Sequence, residues 1–122
     1  ILYEHFHQVR RVFIDGRTAP DHWQPSLGGY STGEWDGDTL VITTTHLSPD
    51  NNTWTAGYPF SGDESAYVVE RWSRDGDELN LTGEVHDATN YEKPYVVNGH
   101  WTFAPDGEIW EYECIPEYAG VK

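Results

Sequence analysis

Two histidines one residue apart open the chain's chemistry. In Glu4-His5-Phe6-His7 a strand would turn both imidazoles to one face. Their Cα atoms would lie about 7 Å apart, within reach of a single ion. A third ligand must then come from another strand, and His46, His100, Glu70 and Glu113 have the right chemistry. Imidazole-rich sites suit copper, iron or zinc, so the cofactor this pattern allows is a single transition metal. The alternative is that His5 and His7 are exposed or hydrogen-bonded strand histidines. The glycine-spaced motifs of a cupin metal site are absent from the sequence.

A second set is made of charges embedded in strand-like sequence: Glu4, Arg10, Arg11, Glu70 and Arg71. Adjacent strand residues face opposite ways, so one of Glu70 and Arg71 should point inward. A buried charge without a partner costs several kcal/mol. These groups therefore either bridge strands as ion pairs or act on a ligand. In the second case Glu4, Arg11, Glu70 and Arg71 are the catalytic candidates, a carboxylate moving a proton beside an arginine anchor.

Aromatic residues are the third set. Six Trp and eight Tyr stand among 122 residues. Trp35, Trp72, Trp101 and Trp110 fall within expected strands and read mostly as core. Trp23 and Trp54 fall in loops and, with Tyr58 and Phe60, are the ligand-contact candidates. The loop aromatics either cover an open end of the sheet or line a ligand mouth or partner contact. His22, His86 and His100 read as surface residues. Asp36-Gly37-Asp38 and Asp75-Gly76-Asp77 lack the remaining ligands of a calcium loop and read as turns.

The elements that must position these groups are strands. Helical periodicity is scarce, and Asp-Gly turns at 15–16, 36–37, 75–76 and 106–107 punctuate β-branched and aromatic runs. Strands are expected near 1–8, 9–14, 29–35, 39–46, 66–74, 79–86, 94–103 and 108–114. Hairpins then span 29–46, 66–86 and 94–114. Period-two alternation puts Leu79, Leu81, Gly83 and Val85 on one face, with Tyr95, Val97, Gly99, Trp101 and Phe103 on the apolar face of their strand. The stretches 15–28 and 47–65 read as long loops. The expected fold is all-β: one domain over 1–122, an antiparallel meander of about eight strands. It would form a small, lipocalin-like barrel or a compact jelly-roll-like sandwich, hiding its edges.

Composition narrows the partners. Lys plus Arg number 7 against 21 Asp plus Glu, a formal net charge of −14. That argues against nucleic acid, whose binding requires phosphate neutralisation, and against anionic membrane surfaces. No apolar run approaches the roughly 20 residues of a membrane helix. Cys114 is the single cysteine, which excludes an intrachain disulfide. It reads as a small buried hydrophobe, or else as a reactive or intermolecular thiol. The first residues are already strand-like, as in a mature chain freed of a signal peptide, and Asn51-Asn52-Thr53 and Asn80-Leu81-Thr82 match the short, common glycosylation pattern.

The order of motifs resembles a family. Glu4 and Arg11-Val12-Phe13-Ile14-Asp15-Gly16-Arg17 open it. Gly29-Tyr30-Ser31-Thr32-Gly33-Glu34-Trp35-Asp36-Gly37-Asp38-Thr39-Leu40-Val41 form its centre. Val69-Glu70-Arg71, Asp87 with Pro94, and Glu111-Tyr112-Glu113-Cys114 complete it. Together they resemble a widespread bacterial family of small, often secreted domains of uncharacterised activity. The resemblance implies an extracytoplasmic, periplasmic or secreted β-domain. Its shared polar positions would be Glu4, Arg11, Arg17, Glu70, Arg71 and Glu113.

Three functions are expected from these readings. The first is a small-molecule-binding β-barrel that holds an aromatic, terpenoid or carbohydrate-like ligand. It would act as a cofactor-independent lyase, isomerase or cyclase through carboxylate and Arg or His groups. The second is a metal-dependent oxidative or hydrolytic enzyme centred on His5, His7 and His46. The third is a non-catalytic accessory subunit whose 47–65 loop docks a second copy or a larger protein partner.

Overall fold

The computed structural model describes residues 1–4, 8–51 and 59–110. The chain divides into two compact units, Ile1–Arg11 with Ala104–Lys122, and Val12–Phe103. In the first, β1 (Leu2–Tyr3) pairs antiparallel with β2 (Gln8–Val9), Leu2 opposite Val9 and Tyr3 opposite Gln8. The Ile1 amino group donates to the Arg10 carbonyl at 2.8 Å, and the Arg10 N–H returns to the Ile1 carbonyl at 2.8 Å. At the two ends of the strand expected over 1–8, Leu2–Tyr3 thus pairs back on Gln8–Val9, and the two segments satisfy each other's backbone groups.

The second unit carries one six-stranded sheet in the order β3-β4-β5-β6-β7-β8. Its strands are β3 (Val12–Phe13), β4 (Tyr30–Asp36), β5 (Thr39–Thr45), β6 (Tyr67–Asp75), β7 (Glu78–His86) and β8 (Tyr95–Thr102). The antiparallel meander β4–β8 agrees with the sequence pattern, and the strand at 9–14 shortens to Val12–Phe13. Pairing between β3 and β4 is parallel, Val12 opposite Ser31 and Phe13 opposite Thr32. The expected loop at 15–28 supplies the crossover that a parallel pair needs. Among the described residues β3 and β8 each have one neighbour, so the sheet is open and no closed barrel forms. The strand expected at 108–114 is absent over Glu108–Trp110, and its remainder lies outside the described residues. Among the described residues no helix is long and apolar enough to cross a membrane.

Two tight hairpins fix the register. Gly37 and Gly76 take φ values of 60° and 57°, the left-handed conformation that two-residue hairpins require. From Gly37 follows Trp35 opposite Leu40, and from Gly76 follows Trp72 opposite Leu81. One face then carries Ser31, Gly33 and Trp35 of β4, and Leu40, Ile42 and Thr44 of β5. It continues through Val68, Glu70, Trp72 and Arg74 of β6, odd-numbered β7 residues from Leu79 to Val85, and odd-numbered β8 residues from Tyr95 to Trp101. This is the drier face, as the alternation predicts. The other face carries Glu34, Arg71, Thr82, Glu84, Asn98 and His100.

The core lies at one end of the drier face. Leu47, Phe60, Ala66, Val68 and Val85 are buried together, with Tyr95 packed against them. Fully burying such side chains stabilises by about 1.5–3 kcal/mol each. Asp87 locks the segment that brings Phe60 there. It is 3% exposed. Its carboxylate accepts the Ser61 N–H (2.7 Å), the Ser61 hydroxyl (2.8 Å), the Asn90 amide (2.8 Å) and the Thr89 N–H (3.2 Å). Burial opposes its ionisation, but these hydrogen bonds outweigh it and hold the carboxyl below its ordinary value. Thr89 also donates to Asp63, and the Tyr91 hydroxyl reaches the Pro59 carbonyl at 2.7 Å.

Candidate functional site

The opposite end of the drier face is open. One register row runs Trp35–Leu40–Trp72–Leu81–Gly99 across β4 to β8. Trp101, two residues beyond Gly99, stacks on Trp72 with ring centroids 5.4 Å apart and planes 24° from parallel. Its six-membered ring lies over Gly99, where any Cβ would collide with it. Gly99 is what lets the two indoles meet. Trp35 is 63% exposed and Trp101 48%. The expectation that Trp35, Trp101 and Trp110 are core is therefore corrected: all three are exposed. Alternation fixes the face of a side chain but not whether anything covers it. The indole N–H of Trp72 is buried and has no hydrogen-bond partner among the described residues.

The next row runs Gly33–Ile42–Glu70–Gly83–Val97. Ile42 is the most deeply buried side chain of the sheet. Glu70 lies beside it, 9% exposed. Within β4–β8 the drier face carries two charged side chains, Glu70 and Arg74. Arg74 donates from Nε to the Gly76 carbonyl at 2.7 Å and lies 3.8 Å from the Asp77 carboxylate. Its guanidinium sits over the Phe103 ring, 5.8 Å from the centroid.

The sequence candidates scatter over this frame. Glu70 points inward and Arg71 is exposed on the opposite face, so the neighbouring pair does not share a site. Glu4 and Arg11 are exposed in the first unit, where Glu4 accepts the Trp110 N–H at 3.4 Å. Phe60, expected as a ligand contact, is 5% exposed and packs in the core cluster. Trp23 is exposed and meets Tyr30 edge-on at 4.9 Å, and Tyr30 stacks on Phe13 at 5.1 Å. Trp54, Tyr58, His5, His7, Glu113 and Cys114 lie outside the described residues.

His46 adopts a φ of 54°, its Nδ1 2.8 Å from the Thr45 hydroxyl. Among the described residues no three His, Cys, Asp or Glu side chains converge as a metal site would require. His86 is 3.1 Å from Glu84 and stacks on Tyr67, and His100 is 2.6 Å from Glu78 and 3.1 Å from the Asn80 side-chain oxygen. Both histidines lie on the wetter face. Arg17 is gripped by Asp15 through bonds of 2.6–2.9 Å and lies over Phe13 at 4.5 Å. That side-chain hydrogen bonding lowers the Asp15 carboxyl below its ordinary value and raises Arg17.

Sequence reasoning missed the aromatic row. Part of its signal was present, since the two Asp-Gly turns place Trp35 opposite Leu40 and Trp72 opposite Leu81. The pairing of Leu40 with Trp72, which joins the hairpins, spans the long 47–65 loop and is set by no turn. The chain matches no family model, and neither a curated protein nor a solved structure matches it.

Proposed function

We propose that the Val12–Phe103 unit is a small-molecule-binding domain, and that its open aromatic row takes the flat face of a small ring. The observation that carries this reading is the Trp72–Trp101 stack, one register row from Glu70 and exposed at Trp101. Exposed indoles on a rigid sheet offer a large apolar contact at little entropic cost. Glu70 is the carboxylate on this face and the group that would exchange a proton with a bound ligand. Arg71, on the other face, takes no part.

The test is a titration of intrinsic tryptophan fluorescence with a panel of small aromatic compounds and monosaccharides. At least one should quench or shift the emission saturably. Trp101→Ala should weaken its binding tenfold or more, about 1.4 kcal/mol. For a neutral compound of that panel, Glu70→Gln should keep binding and lose any turnover. A wild-type protein indifferent to the whole panel, or a Trp101→Ala variant that binds equally well, overturns the reading.

A further inference from the structure

The chemistry around the aromatic row also selects among ligands. Resting on the reading just given, we infer that the ligand of this face is a small organic cation: an ammonium group on a compact apolar body. The surface already holds one cation of its own in this way. The Arg74 guanidinium lies over the Phe103 ring, 5.8 Å from its centroid, with the Asp77 carboxylate 3.8 Å away and the Gly76 carbonyl accepting at 2.7 Å. Ring, carboxylate and carbonyl are the three partners that an alkylammonium uses.

The open indoles beside it are the stronger cation binders, since Trp is the best of the aromatic faces. Their electrostatic surroundings agree. Glu70 stands one row away on the same face, and the hairpin tips next to the row carry Asp36, Asp38, Asp75 and Asp77. With 21 acidic residues against 7 basic ones, the whole molecule attracts cations and repels anions. Within the row stand Leu40 and Leu81, with Leu79 next to Trp101. Those aliphatic neighbours suit methyl or methylene groups around a positive nitrogen.

The experiment compares choline with 3,3-dimethylbutan-1-ol, its neutral isostere with carbon in place of nitrogen, by tryptophan fluorescence at low salt. Choline should bind at least tenfold more tightly. The gap should narrow as salt is raised and again in Glu70→Gln. Trp101→Ala should abolish binding of both probes, and Trp101→Phe, which keeps a weaker ring in a folded protein, should fall between. Equal affinity for the two probes overturns the cation inference and leaves the aromatic face as a binding surface. Failure of both probes at millimolar concentration also overturns it, while the aromatic and sugar panel decides separately whether the face binds small molecules at all.

Discussion

The two ends of the drier face are built by the same strands and follow the same alternation, yet one is sealed and the other open. At the sealed end Val68 and Val85 lie under Leu47, Phe60 and Ala66. At the open end Trp72 and Trp101 stack on each other, and Trp101 is 48% exposed. The difference is a knot of hydrogen bonds. Asp87 draws the Ser61 segment and the Thr89–Asn90 turn together, and that draws Phe60 over the sheet. A strand pattern makes a face apolar. A buried carboxylate at the end of β7 decides which part of it becomes core.

Substitutions should separate the two ends. The largest effect is expected for Phe60→Ala, which empties the sealed end and should cost about 3–5 kcal/mol. At about 4 °C per kcal/mol for a chain of this size, thermal melting would show it as a fall of more than 10 °C. Asp87→Ala comes next, at about 2–3 kcal/mol, because it leaves the Ser61, Asn90 and Thr89 donors without their charged acceptor. If melting of Asp87→Ala matches the wild type, the knot is not what closes the sealed end.

A pH dependence follows from the same carboxyl. Its pKa is lower in the folded protein than the ordinary 3.8, so the folded state favours the ionised form. Its stabilisation is complete above the unfolded value and is lost as pH falls through the folded one. Denaturant midpoints should therefore drop below about pH 4 in the wild type, and Asp87→Asn should flatten that part of the profile. The smallest effect belongs to the open end. Trp101→Ala should change stability by no more than about 1 kcal/mol while altering ligand binding. A loss as large as that of Phe60→Ala would mean that the Trp72–Trp101 stack is core in function as well as in chemistry.

Much of the fold was legible in the sequence, and the reason is local. The Asp-Gly turns and the β-branched runs of β4 to β8 act over a few residues, so hairpins 29–46 and 66–86 follow from them. The opposed orientation of Glu70 and Arg71 follows from a period of two. The parallel β3–β4 pairing did not, because it depends on where a long crossover delivers its end. Phe60 was legible as a loop aromatic, but its burial depends on Asp87, twenty-seven positions further along the chain.

The sequence by itself determined the all-β class, the tight turns, the division of each strand into two faces and the strong negative charge. All of these are set by neighbours in the chain or by composition. Only the tertiary structure decided that Glu70 is the inward member of its pair, that Trp72 meets Trp101 across Gly99, and that Phe60 is sealed while Trp35 and Trp101 are open. Those outcomes depend on which strands become neighbours across long loops and on which segments are held over the sheet. Such contacts join residues far apart in the chain, and no local spacing encodes them.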